Sequence, residues 1–188
     1  MENLKQLLNK NAIVFALVLA GITILFDLVL YVFGVSTESK LRWMTILFML
    51  CFIIYGTFYL RNTHYNGFIS YGQSFLSGFL IALYSAITIA IYTYIFLKFI
   101  DPGYIEKAKE LALEKMQENP QLSEEMIEKA VAWQQKFLTP LFMSLGAIIN
   151  NLLIGTIIAL LASIFIKKED KSFDAAFKDI DEEPKLDR

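Results

Sequence analysis

Residues 141–166 of the chain read LFMSLGAIINNLLIGTIIALLASIFI, and Lys167 and Lys168 follow directly. The stretch contains no charged residue, and a helix needs roughly 20 mostly apolar residues to cross the hydrocarbon core of a bilayer. Backbone polar groups in lipid must be paired within their own segment, so a continuous apolar run of this length favours a helix. The stretch therefore predicts a membrane-spanning helix that ends at two lysines.

Three further runs of the same kind precede it, at residues 12–33, 43–60 and 73–97. Their apolar residues are continuous and do not alternate with polar ones, which disfavours the strands of a membrane barrel. The first run is longer than the roughly 7–15 apolar residues of a secretory signal, so we favour an uncleaved helix over a cleaved signal peptide. We predict an all-α integral membrane protein whose four-helix bundle forms one transmembrane domain over residues 1–168.

The composition excludes several classes of function. Of the 188 residues, 56% are apolar and 19% are charged, whereas a soluble domain usually has about 45–50% apolar and about 25% charged residues. The single histidine, His64, and the single cysteine, Cys51, are too few for a zinc or iron–sulfur centre within one chain. The net charge of −2 gives no nucleic-acid footprint. We therefore expect no metal, no cofactor and no nucleic-acid partner.

A long charged connection separates the third and fourth runs. The sequence DPG at 101–103 ends the third helix, and apolar residues then recur at helical spacing on both sides of the NP pair at 119–120. We predict an extramembrane helical hairpin over 103–138, with Ser123 as the N-cap of its second helix. Its apolar stripes would pack on the membrane domain or on another membrane or envelope protein. Pro140 should mark a break before the fourth membrane helix.

The charges at the helix ends bear on orientation. Four spans put both chain termini on one side, and the basic residues near the spans balance between the two sides, so the positive-inside rule does not decide by count. Lys167 and Lys168 abut their helix directly, as a stop-transfer signal does, which favours cytoplasmic termini. We predict that both termini lie in the cytoplasm and that residues 169–188 form a polar, mostly solvated tail.

Asp27 is the only ionisable acid inside a predicted span. A charge in mid-bilayer costs roughly 2.5–3.5 kcal/mol on insertion scales, so such residues usually face protein or water. Asp27 is either a proton or cation site or a structural acid bonded to a neighbouring Tyr, Thr or Lys. We favour the structural interpretation, because transport normally needs more than one intramembrane polar group and a pathway.

Two asparagines also lie deep in a predicted span. Asn150 and Asn151 fall within the fourth helix, where an interhelical hydrogen bond is the commoner use of such a residue. The alternative interpretation is a ligand site that includes Asp27, Asn150 or Asn151.

Small residues recur at every fourth position on the third and fourth helices. Such ridges let two helix backbones approach closely, as in the GxxxG class of contacts. We predict that these two helices pack along the ridges, and we favour this contact over a homodimer, although the oligomeric state stays open. The ridge residues are Ser74, Gly78, Ala82, Ala86 and Ala90 on the third helix and Ala147, Asn151, Gly155, Ala159 and Ser163 on the fourth.

The layout and several local strings resemble a known family. The strings are SYGQSFLSGFLIAL at 70–83, IYTYIFLKFIDPGYIEK at 91–107, and an acidic hairpin that ends in KFLTP at 136–140. Over roughly residues 3–168 the chain resembles the uncharacterised four-pass bacterial membrane proteins catalogued as domain of unknown function 4199. The resemblance implies a bacterial inner-membrane location and a long loop between the third and fourth helices. It implies no activity, so no functional residue is carried over.

The residues favour a function without catalysis. The sequence shows no recognisable nucleophile, base or metal set, which makes an intramembrane enzyme the least favoured class. Our leading prediction is a structural or protein-interaction role in the lipid bilayer, in which the 103–138 hairpin engages another membrane or envelope protein. The alternative is a small transporter or channel-like protein that uses Asp27.

Overall fold

The structure, a computed structural model, describes residues 4–35, 40–118 and 123–168. The predicted polar tail at 169–188 lies outside the described residues. Within them the chain is helical apart from its connections and one isolated β-bridge, which confirms the all-α prediction. The helices are α1 (Leu4–Val32), α2 (Met44–His64), α3 (Tyr71–Ile95), α4 (Tyr104–Gln117), α5 (Glu124–Phe137) and α6 (Pro140–Ile166).

Four of these helices, α1, α2, α3 and α6, are long and apolar enough to cross a membrane. Each overlaps one of the four predicted runs, but α1 begins earlier, at Leu4, and α2 ends later, at His64. Helical hydrogen bonding continues past the apolar run into polar residues, so α1 and α2 are longer than their runs. A short 3₁₀ turn (Lys40–Trp43) precedes α2, and a π-helical turn (Phe96–Ile100) extends α3.

Local signals set where the first and third helices end and begin. α1 ends in a Schellman motif, in which Gly34 has a φ of 64° and the N–H of Val35 donates to the carbonyl of Leu30 at 2.9 Å. α3 begins with a capping box: the hydroxyl of Ser70 accepts from the backbone N–H of Gln73, whose side chain accepts from the N–H of Ser70.

Two signals predicted from the sequence also mark the ends of α5. The hydroxyl of Ser123 accepts from the N–H of Met126 at 3.3 Å, as an N-cap does. α5 ends at Phe137, and α6 begins at Pro140 with Thr139 as its N-cap. A proline in the first turn of a helix leaves no backbone bond unmade, because its missing N–H would have had no partner there. The chain is therefore broken between α5 and α6, at the predicted proline.

The contact between α3 and α6 is the most extensive one between two helices in the described part of the chain. A Cβ atom built on Gly78 of α3 would lie 2.9 Å from the Cβ of Ala159 on α6. A Cβ built on Gly155 of α6 would collide with the Cβ of Ala82 on α3. The two small-residue ridges face each other here, and the glycines permit a backbone approach that a larger residue would prevent.

An apolar core forms where α1, α2, α3 and α6 meet. Its residues are buried, and many are small or β-branched, so the helices pack closely around it. A buried polar contact accompanies it: the side-chain amide of Asn11 on α1 donates to the carbonyl of Gly56 on α2 at 3.0 Å. The core consists of Ala12, Ala16, Leu19, Met49, Ile53, Ile81, Ala82, Ile158 and Ala159.

The end of α6 is fastened to the connection between α2 and α3. Ile69 and Lys168 form the isolated bridge, with two backbone hydrogen bonds of 2.9 Å. The guanidinium of Arg61 donates to the carbonyl of Ile166 at 3.0 Å. A cation at a helix C-terminus also interacts favourably with the helix dipole.

α4 and α5 are shorter, amphipathic helices that contact each other. The side chain of Ile105 on α4 is buried and packs with Phe96 and Leu97. On α5, by contrast, Trp133 is 65% exposed, and its ring stacks on that of Phe137 at 5.2 Å. The apolar stripe predicted for α5 is thus left largely open.

Candidate functional site

Asp27 lies near the end of α1, beside α3. Its carboxylate accepts a hydrogen bond from the hydroxyl of Tyr92 at 2.8 Å. A hydrogen bond from a neighbouring helix lowers the free energy of an acid in an apolar segment. This contact is the kind that the structural interpretation of Asp27 predicts.

Asp27 also lines a cavity of about 270 Å³ between α1, α2, α3 and α6, which we call the chamber. All four helices contribute polar side chains to its wall, so the polar groups converge from distant parts of the sequence. The chamber is lined by all three residues of the polar site considered from the sequence, Asp27, Asn150 and Asn151. The polar lining is made up of Thr23, Asp27, Thr45, Tyr92, Thr93, Tyr104, Asn150 and Asn151.

The two asparagines lie on the α6 wall of the chamber. The side-chain amide of Asn151 donates to the carbonyl of Ala147, one turn earlier, at 2.8 Å. This bond stays within α6, whereas such residues commonly bond to a neighbouring helix. The side chain of Asn151 lines the chamber. Asn150 and Asn151 also line an adjoining cavity of about 240 Å³, which extends to Trp43 and Ile154 between α2 and α6.

Phe96 stands at the centre of a cluster of aromatic rings beside the acid. Its ring centroid lies 5.1 Å from that of Tyr31, 5.7 Å from that of Tyr92 and 6.4 Å from that of Tyr104. Phe96 opens the π-helical turn, in which the N–H of Asp101 donates to its carbonyl, five residues earlier, at 2.9 Å. Such turns are frequent at functional sites.

A larger cavity of about 640 Å³ adjoins the chamber on the side of α4, and we call it the vestibule. Asp27, Phe96 and Tyr104 line both cavities. Asp101 and Lys107 line the vestibule. The two cavities therefore share the side chain of Asp27, and the vestibule adds one acidic and one basic side chain to its own lining.

The apolar core closes the opposite side of the chamber. On α1 the chamber is lined from Thr23 to Asp27, and Leu19 of the core lies about one turn from Thr23. On α6 the corresponding residues are Asn151 and Ile158. The chamber is therefore a recess at one end of the four helices, with packed apolar side chains beneath it.

Three other reactive or ionisable side chains do not line the chamber, namely those of Lys98, Cys51 and His64. The ammonium of Lys98 donates to the hydroxyl of Tyr94 at 3.0 Å. Cys51 is exposed on α2. The ring of His64, at the far end of α2, lies 6.4 Å from that of Tyr59. The polar chemistry of the chamber thus rests on one carboxylate, two amides and several hydroxyls.

A family model for proteins of unknown function, DUF4199, matches residues 14–168. The chain belongs to the DUF4199 family. This match confirms the resemblance drawn from the sequence strings. No curated protein and no solved structure matches the chain. In this DUF4199 protein the matched region includes all residues that line the chamber and the vestibule.

The sequence did not identify the aromatic members of the site. Tyr92 and Phe96 are one helical turn apart near the end of α3, and Asp27 lies near the end of α1. Because α1 and α3 run in the same direction, a comparison of depths along the two runs places Tyr92 at a similar height to Asp27, but it does not show that the two side chains face each other. No such signal exists for the cluster around Phe96, since it depends on a π-helical turn within an apolar run.

Proposed function

We propose that this DUF4199 protein is a non-enzymatic, four-span protein of a bacterial inner membrane that binds a small polar ligand in the chamber. The convergence of Asp27, Tyr92, Asn150 and Asn151 on that one cavity carries the proposal. The sequence argument against a functional role for Asp27 was that transport needs more than one intramembrane polar group and a pathway. The chamber supplies several polar groups.

The outer surface of the helices supports a place in lipid. Apolar side chains that point away from the core are strongly exposed, among them Leu25 (64%), Leu153 (61%) and Phe165 (85%). Large contiguous apolar surfaces are unfavourable in water and mark contact with lipid or protein. In our proposal α4 and α5 form an extramembrane hairpin, and both chain termini are cytoplasmic. The chamber then lies in the outer half of the membrane.

Cysteine labelling tests this topology. In a Cys51→Ala background, single cysteines at Ser123 and at Ser172 should react with a membrane-impermeant maleimide from opposite sides of the membrane. Ser123 should react in intact spheroplasts, and Ser172 should react after the membrane is opened. Labelling of both positions from the same side would rule out the four-span arrangement, and the reverse order would invert the orientation.

The residues of the chamber favour binding over catalysis. Hydroxyl and amide groups hold and orient a polar ligand, and Asp27 is already held by the hydroxyl of Tyr92. His64 and Cys51 lie away from the cavity. The apolar core beneath the chamber supports a site open from the outer end, so transport would require the core to rearrange.

A variant that fills the chamber tests the proposal. Ala147 lines the cavity, and Ala147→Leu should occupy part of its volume. Gly146→Leu is the matched control on the same helix, because a side chain there meets open space. The full chain in a non-ionic detergent is heated with ethanolamine, choline, glycine, glucose, acetate or potassium chloride. A ligand that binds the folded state raises the unfolding temperature in proportion to its saturation.

At least one compound should stabilise the unchanged protein and the Gly146→Leu variant, and this gain should be lost in Ala147→Leu. The proposal fails if every compound acts equally on all three proteins.

A protein-interaction role is the second candidate, and the exposed stripe on α5 favours it. Met126, Trp133 and Phe137 are each at least 45% exposed, as apolar residues at a contact surface would be. A photo-crosslinking residue at position 133 should then give one discrete protein adduct in cells. The same residue at position 128, among the charged residues of α5, is the control. Lipid adducts at position 133 in place of a protein adduct would contradict this role.

A further inference from the structure

The chamber combines a carboxylate with aromatic rings. The carboxylate of Asp27 accepts from the hydroxyl of Tyr92 at 2.8 Å, and the ring of Tyr92 lies 5.7 Å from that of Phe96. The ring of Tyr104 lies 6.4 Å from that of Phe96, and all three rings line the same cavity. One wall of the chamber therefore places aromatic rings next to a carboxyl group.

This combination suits one chemical class of ligand. Aromatic faces attract cations that are weakly hydrated, and organic ammonium groups are the usual example. A carboxylate inside an apolar segment gains from a cation that enters with it, since an unpaired charge there is unfavourable. A metal ion fits less well: no group of three or more His, Cys, Asp or Glu side chains that could hold one occurs within residues 4–35, 40–118 and 123–168.

We infer that the chamber binds an organic ammonium ion, with its cationic group between the carboxylate of Asp27 and the rings of Tyr92, Phe96 and Tyr104. This inference rests on the proposed function and names the ligand class of the same site. The cavity of about 270 Å³ lies near the lower end of small-molecule sites, at roughly 300 Å³. The ligand is therefore small, and its polar substituents reach the amides of Asn150 and Asn151.

The vestibule gives the ligand its route. Asp27, Phe96 and Tyr104 are shared between the vestibule and the chamber, so an ammonium ion meets the binding groups as soon as it passes α4. Ile105 on α4 is buried against Phe96.

Choline and its uncharged carbon isostere, 3,3-dimethylbutan-1-ol, separate charge from shape. The full chain is purified in a non-ionic detergent, and its unfolding temperature is measured as each compound is added. Choline should raise the temperature with a saturable dependence on concentration, and the isostere should bind at least tenfold more weakly. Equal effects of the two compounds, or no saturable effect of choline and of ethanolamine, would overturn the inference.

Two variants test the binding groups separately. Asp27→Asn should weaken choline binding by about 30-fold or more, as the loss of one partner of a desolvated charge pair does. Phe96→Leu should weaken it by about 5–30-fold, the range expected from the loss of one cation–π contact. Glu125→Gln, on the exposed face of α5, is the matched charge control and should bind as the unchanged protein does. Unaltered binding in both chamber variants would contradict the site.

The outcome separates this inference from the proposed function. If glucose or acetate stabilises the protein and Ala147→Leu abolishes the effect, the chamber is a binding site but not one for ammonium ions. If Asp27→Asn does not fold, the comparison of choline with its isostere on the unchanged protein still decides the inference.

Discussion

A single methyl group at Gly155 should separate the two most closely packed helices. A Cβ atom there would collide with the Cβ of Ala82, and the Cα of Ala82 lies 3.6 Å away behind it. The obstacle is thus a short side chain on a rigid backbone, which has no flexible end to move aside. Gly155→Ala therefore forces α3 and α6 apart or bends one of them.

The magnitude follows from two opposed effects. Alanine favours the helix over glycine by about 0.5–1 kcal/mol. An extra methyl group in a well-packed contact destabilises by about 1–3 kcal/mol. Gly146→Ala isolates the first effect, because a Cβ at Gly146 meets nothing within 4 Å on the same helix. The difference in stability between the two variants should therefore be about 1–3 kcal/mol, with Gly155→Ala the less stable.

Thermal unfolding of the two variants in the same detergent measures this difference. Ala82→Gly removes the colliding methyl group, so the double variant Gly155→Ala with Ala82→Gly should recover most of the loss, as a double-mutant cycle would show. Equal unfolding temperatures for Gly155→Ala and Gly146→Ala would refute the close contact between the ridges. Failure of Ala82→Gly to restore stability would place the strain elsewhere.

Contacts at the helix ends and in the chamber give further expectations. Arg61→Ala should destabilise the protein by about 1–2 kcal/mol, because it removes a charged hydrogen bond to the last turn of α6. In thermal unfolding, Arg61→Lys should keep part of this stabilisation. Burial raises the pKa of Tyr65 above its usual 10.0. The unfolded chain therefore loses this proton first, and stability should fall as the pH rises above about 10. Tyr65→Phe should have a shallower decline in unfolding temperature between pH 9 and pH 11. Asp27→Asn should unfold at nearly the same temperature as the unchanged protein, since its amide oxygen can accept from Tyr92. A large loss that is restored by Lys98→Met would instead indicate a buried ion pair.

Much of the fold is determined by local features of the sequence. A continuous apolar run of sufficient length, such as 141–166, specifies an apolar helix whatever its neighbours are. Helix boundaries were similarly readable at Ser123 and Pro140, because capping and the missing N–H of proline act within one turn. The small-residue ridges can be predicted in part from the sequence. Their spacing is visible there, but the helix that each ridge packs against is not.

The polar site could be predicted only in part. Asp27, Asn150 and Asn151 stood out because polar groups are unfavourable in apolar runs. The sequence does not give the rotation of each helix about its axis, which decides whether such a residue faces lipid, a neighbouring helix or a cavity. The common use of an asparagine, an interhelical bond, therefore did not describe Asn151, which bonds within its own helix.

The sequence by itself determined that this chain has four long apolar helices and two amphipathic ones, because length, periodicity and capping are properties of neighbouring residues. Only the tertiary structure decided that Asp27 meets Tyr92, that Phe96 gathers three further rings, and that a chamber forms above the core. The physical reason is that these contacts join residues far apart in the chain. They depend on how α1 and α3 pack against each other and on one π-helical turn, and neither can be specified by a local pattern.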